Sequence, residues 1–232
     1  MSSLQSLADI TTVEWLALAL IFVAWLGIGW LVEHPPRARP SVTILMQAYR
    51  RDWMITFVGR VPRLFDVSLI ASLRQGTTFF ASASMLALGG GAAVIGNSGA
   101  MRELAADLPI VTGHIDLALK MLLPMAFLAN ALLKFIWAHR LFGYCAILMA
   151  AVPNQPDHPE AMHRAEQAAD INGTAAKSYN RGLRAIYFAL AGLAWILGEL
   201  PLVIATLITA ATLLRREFWS QSREVILDRR AL

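Results

Sequence analysis

Residues 75–101 form a run of 27 positions without one Asp, Glu, Lys or Arg. A helix needs about 20 mainly apolar residues to cross the hydrocarbon core of a bilayer. An uncharged run of this length therefore predicts a transmembrane helix. Three more stretches share the character. Residues 15–32 carry no formal charge, and residues 115–137 are apolar apart from Asp116, Lys120, Asn130 and Lys134. Residues 185–214 hold one charge, Glu199. Composition agrees: 57% of the chain is hydrophobic and 16% charged. A typical soluble domain has about 25% charged residues. This balance excludes a disordered chain, a coiled coil, a disulfide scaffold and an ordinary cytosolic enzyme.

The fourth stretch is too long for one ordinary span and short for two. The positive-inside rule separates the cases. A reversal at Gly198-Glu199-Leu200-Pro201 puts every basic region on one side. Glycine ends a helix at little cost, and proline suits the start of the next. Fifteen basic residues then fall inside: Arg37, Arg39, Arg50, Arg51, Arg60 and Arg63; Arg140, Arg164, Lys177 and Arg181; Arg215, Arg216, Arg223, Arg229 and Arg230. Only Arg102 falls outside. Residues 1–14 contain no Lys or Arg. A cleavable signal peptide needs a basic n-region, so the first apolar segment is read as a retained span.

The expectation is an all-α, polytopic membrane protein in one integral domain, 1–232. It has about five spans, N-out and C-in, at about 13–32, 70–97, 114–138, 178–197 and 200–219. The last two form a tight hairpin, from whose inner ends Arg184 and Arg215 snorkel. A shallow re-entrant hairpin keeps the same topology. Between the first two spans, Val42, Leu45, Met46, Tyr49, Trp53 and Phe57 recur at helical spacing opposite Gln47, Arg50, Arg51 and Asp52. This predicts a basic amphipathic helix over about 41–59, lying in the cytoplasmic interface. Residues 141–152 suit a buried or interfacial helix. A proline-rich loop, 153–159, precedes an exposed, Ala-rich helix at about 160–171, which Asn172-Gly173 breaks or bends.

Polar groups in a bilayer are costly and invite functional hypotheses. Asp66 and Arg74 share one face near the inner boundary. Asp116 and Lys120 have salt-bridge spacing near the outer end. Asn130 is the mid-membrane polar residue, as inter-helix glue or the lining of a water-filled path. Gly89, Ala93 and Asn97 keep a small-xxx-small face, suited to close helix packing or an oligomer contact. His163, Glu166 and Asp170 share a helix face that reads as solvated surface, so no metal site is assigned. The single cysteine, Cys145, reads as an inert packed thiol. No GxSxG, HExxH, SxxK or Walker pattern occurs, and neither an enzyme nor a cofactor is expected.

Four runs carry a resemblance. They are Arg63-Leu-Phe-Asp-Val-Ser-Leu-Ile-Ala-Ser-Leu-Arg-Gln-Gly-Thr-Thr-Phe-Phe-Ala-Ser, Lys134-Phe-Ile-Trp-Ala-His-Arg-Leu-Phe-Gly-Tyr, Asn180-Arg-Gly-Leu-Arg-Ala-Ile-Tyr-Phe-Ala-Leu-Ala and Arg215-Arg-Glu-Phe. Together they resemble the bacterial and plant membrane proteins of domain of unknown function 599, over about residues 15–220. The resemblance implies a multi-span protein of the bacterial inner membrane and supplies no reaction.

Its motifs fall near the predicted inner boundary. Asp66, Arg74, Lys134, Arg140, Tyr144, Asn180, Arg181, Arg184, Arg215, Arg216 and Glu217 are expected to form one polar network. Asp66 and Glu217 are expected to pair with some of the arginines. Such a layer locks the fold, binds lipid phosphates or gates a path. The net charge of +4 is assigned to anionic lipid of the cytoplasmic leaflet, not to nucleic acid. The first functional reading is a non-enzymatic scaffold or accessory subunit, as a homo-oligomer or within a larger membrane complex. A small channel or transporter is the alternative, with Asn130, Lys134, Asp66 and Arg74 along its path. A lipid- or quinone-handling protein is another.

Overall fold

The computed structural model describes residues 11–97 and 117–228. Seven α-helices follow one another: α1 (Thr12–Glu33), α2 (Val42–Val58), α3 (Leu64–Gly96), α4 (Leu117–Ala150), α5 (Ala161–Leu193), α6 (Glu199–Phe218) and α7 (Gln221–Leu227). No strand occurs among the described residues. Asp116, His114, Arg102, Arg229 and Arg230, and with them the Asp116–Lys120 pair, lie outside the described residues.

Three helices, α1, α3 and α4, are long and apolar enough to cross a membrane. Only 22%, 11% and 39% of their most apolar windows are buried. So much uncovered apolar surface suits a helix whose solvent is lipid. The chain is a membrane protein by this measure. α5 and α6 fall outside the same test of length and composition.

Two compact units divide the chain. The first draws on Met1–Leu31, Ala83–Ala131 and Leu183–Arg215; the second on Val32–Ser82, Leu132–Gly182 and Arg216–Leu232. Charge is divided unevenly: ten Asp, Glu, Lys and Arg residues belong to the first and twenty-six to the second.

In the first unit, α1 opens with a capping box. The Thr11 hydroxyl accepts from Glu14 N–H, and Glu14 accepts from Thr11 N–H at 2.9 Å, satisfying orphan donors at both positions. Rings hold the interior. Phe127 of α4 stacks on Phe22 at 5.5 Å, meets Trp25 edge-on at 5.2 Å and lies 6.0 Å from Phe188 of α5. Lys120 is buried, and among the described residues Glu14 and Glu199 act on it. These three residues lie near the starts of α4, α1 and α6. The helix breaks where the sequence predicts a turn. α5 tightens into a 3₁₀ turn, Ala194–Leu197, and Gly198 follows at φ 124°. That backbone angle clashes with any Cβ, so glycine belongs there. Pro201 falls in the first turn of α6, whose amides have no intrahelical acceptor in any case.

In the second unit, α2 begins at an N-cap, Ser41, whose hydroxyl accepts from Ile44 N–H and donates to the Val32 carbonyl at 2.7 Å. Met54, Phe57 and Val58 of α2 pack with Leu141, Phe142, Cys145 and Met149 of α4 and with alanines of α5. Those alanines correct the expected exposed helix at 160–171. Ala161, Ala165, Ala168, Ala169 and Ala175 are buried. Alanine at this spacing gives a weak hydropathy signal but lets backbones approach closely. Asn172-Gly173 does not break the helix either. α5 runs unbroken through both, because the Asn172 side chain is fully buried and bonded within the unit. Likewise residues 141–150 continue α4 without a break. Arg63 and Arg164 donate to the carbonyls of Ala151, Val152 and Pro153 at 2.7–2.8 Å. Cations are favoured there, at the negative end of a helix.

The C-terminal segment clasps the start of α2. Glu217 accepts from Thr43 N–H at 3.0 Å and from its hydroxyl at 2.9 Å. Arg39 lies over the Trp219 ring at 4.4 Å and donates to the Phe218 carbonyl. Arg223 donates to Pro40 and Tyr49 to Ile226.

Candidate functional site

Thr43, Gln47 and Arg50 recur at i, i+4 and i+7, so they share one face of α2. Gly173, Ala176, Lys177 and Asn180 recur in the same way on α5. These two faces, with Glu217 and Met46, line a cavity of about 230 Å³ inside the second unit.

The charges around the cavity are unequally served. Arg50 donates from Nη1 to the Asn172 Oδ1 at 2.6 Å. Asn172 is held in place from its other end, where its amide meets the Cys145 sulfur at 3.6 Å. Asn172 is neutral, and among the described residues no carboxylate pairs with Arg50. Burial pulls the Arg50 guanidinium below its ordinary pKa, against a weaker opposing effect of the Cys145 thiol. Lys177 reaches Glu33 Oε2 at 3.2 Å. Arg181 grips the same carboxylate with two bonds, at 2.7 and 2.5 Å. Glu33, at the end of α1, thus serves two cations. The Glu217 carboxylate is directed to the first turn of α2, where a negative charge complements the helix dipole.

The network expected from sequence is divided into local groups. Asp66 is fully buried, with Oδ1 accepting from Trp53 Nε1 at 2.7 Å and from Arg60 at 2.5 Å. Its partner is therefore Arg60, an arginine outside the expected set. Its Oδ2 has no hydrogen-bond partner. Arg74 lies 3.4 Å from His139, whose other ring nitrogen meets Thr77 at 3.2 Å. Arg140 bonds the Tyr144 hydroxyl one turn away. Lys134 contributes its backbone carbonyl to Ser178. Arg181 pairs with Glu33, and Glu217 with Thr43 instead of an arginine. Asn180 lines the cavity. Arg184 is buried and belongs to the first unit, as does the exposed Arg215; Arg216 is exposed and belongs to the second. A buried charge is satisfied by the nearest group of matching geometry, and that divides the layer.

In the first unit, Asn130 is half-buried. Gly89 and Ala93 are exposed on α3, as is Asn97 just past its end, and open space surrounds the Cβ position of Gly89. The glycine that packs closely is Gly91, whose Cβ position lies 3.1 Å from the Met125 side chain.

Sequence reasoning missed Arg50, Gln47 and Thr43 as cavity residues and Glu33 as an ion-pair partner. A signal existed for the first three, since they share a helical face. Counting Arg50 only as a loop charge hid it.

A family model described as "Protein of unknown function, DUF599" matches residues 16–222. The chain belongs to that family. The DUF599 match takes in both walls of the cavity, Glu33 and Glu217. No curated protein and no solved structure matches the chain.

Proposed function

We propose that this DUF599 chain crosses the bacterial inner membrane five times, N-out and C-in, and serves as a non-enzymatic, oligomeric scaffold or accessory subunit. The fifteen-to-one distribution of basic residues supports the orientation. Glu14, Lys120 and Glu199 support the crossing of the last hairpin. Both carboxylates act on the buried Lys120, which supports the starts of α1, α4 and α6 lying at one end, as alternating spans require. α2 rests at the cytoplasmic interface, with Ile55 exposed beside anionic lipid.

One observation carries the oligomer. α3 leaves Gly89, Ala93 and Asn97 exposed in register, while Gly91 is covered by Met125. A small-residue face left exposed among the described residues suits a second transmembrane helix, because lipid tails do not compete for such close packing. Light scattering of the protein in mild detergent tests this. The expected mass is a multiple of the 25.4 kDa chain, falling to that of one chain in Gly89→Leu/Ala93→Leu. A monomeric wild-type protein with no co-purifying partner sinks the reading.

The cavity favours a second reading, lipid handling. The channel reading draws less support, since Asp66 is engaged by Trp53 and Arg60, and Arg74 by His139.

A further inference from the structure

Arg50 presents five N–H donors in a rigid fork, and the protein uses one of them, for a neutral amide. Arg50 is half-buried, and a charge withdrawn from water favours a matching ion. The carboxylate on the cavity wall and the one beside Lys177 are committed. Glu217 accepts two bonds from Thr43, and Glu33 is shared by Lys177 and Arg181. Counting Glu33 and Glu217 against Arg50, Lys177 and Arg181 leaves one positive charge in excess. That excess adjoins a space of about 230 Å³. At ~30 Å³ per water the space holds about seven waters, enough for a tetrahedral oxyanion and a short stem.

We propose that the cavity between α2 and α5 binds a phosphate-bearing ligand, with Arg50 and Lys177 on its oxygens and Gln47 and Asn180 as neutral donors. The Arg50 fork, the Lys177 ammonium, which is shared with Glu33, and two amides supply more donors than the two oxygens of a carboxylate use, and they suit the three or four of a phosphate. Met46 and Val42 supply an apolar wall for the stem. Lys177 is about one-third exposed and marks the way in. A lipid headgroup and a free phosphate share this chemistry. The proposal is independent of the oligomer.

The test uses the full chain in an uncharged detergent. Its melting temperature is followed against inorganic phosphate, a short-chain phosphatidylglycerol and succinate, each at ionic strength matched with chloride. Wild-type protein is expected to show a saturable rise with a phosphate probe. A response to the lipid alone assigns the headgroup, and a response to inorganic phosphate assigns the free ion. Arg50→Gln should weaken the apparent Kd at least about tenfold, the loss of one charge-assisted contact. Gly173→Leu fills the cavity from a position whose Cβ meets nothing within 4 Å. It should abolish the response while keeping the unliganded melting temperature near wild type. Lys177→Gln should weaken binding severalfold and guards against misfolding of either variant. No saturable rise in wild type, an unchanged response in Gly173→Leu, or an equal response to succinate overturns the proposal.

Discussion

Rings meet in both units: Phe22, Trp25, Phe127 and Phe188 in the first, Phe80, Phe135 and Tyr179 in the second. The second adds a set of polar pairs: Asp66 with Trp53 and Arg60, Glu33 with Lys177 and Arg181, Glu217 with Thr43 and Asn172 with Arg50. The difference follows from the solvent expected around each. Apolar surface gains little by leaving lipid, so helices there are matched by shape. A region with twenty-six charges must answer each one it buries. The first unit should therefore forgive small changes in shape where flexible side chains give way. The second should be sensitive to the loss of single polar groups.

Asp66→Ala tests the second half of that contrast most severely. It strands the Trp53 N–H and removes the counter-ion of Arg60. With Arg60 about one-third exposed and partly screened, a loss of about 2–3 kcal/mol is expected in chemical unfolding followed by circular dichroism. A loss below about 1 kcal/mol breaks the comparison.

Gly182→Ala comes next. Its Cβ would stand 2.7 Å from the ring of Phe135, which is fully buried and stacked on Phe80 at 5.4 Å. The ring has nowhere to turn, so about 2 kcal/mol should be lost. Gly91→Ala is the matched change in the first unit. Its obstacle is the Met125 side chain at 3.1 Å, and methionine yields readily. The gain in helix propensity offsets the contact, and stability should stay within about 0.5 kcal/mol of wild type. Equal costs for the two glycine variants would erase the distinction.

What the sequence made legible follows the same division. The three apolar helices and the break at Gly198 are read from runs of apolar residues and from one glycine, where local chemistry decides. The length of α5 was not legible, because Asn172-Gly173 reads as a breaker until a partner for Asn172 is known. That partner, Arg50, lies 122 residues earlier. The buried alanines of α5 escaped for a related reason, since alanine announces neither face. For Asp66 the sequence marked an important carboxylate but not its partner. Of the many arginines present, Arg60 is chosen by the path of the chain between α2 and α3.

The clasp of Glu217 on Thr43 spans 174 residues. A ribosome therefore releases α2 long before the carboxylate that completes its first turn exists. Until residues 217–226 emerge, the amide of Thr43 and the carbonyl of Pro40 must be served by water or by a chaperone. The first turn of α2 is thus completed only after residues 217–226 are made, and a change in that segment is felt 174 residues earlier.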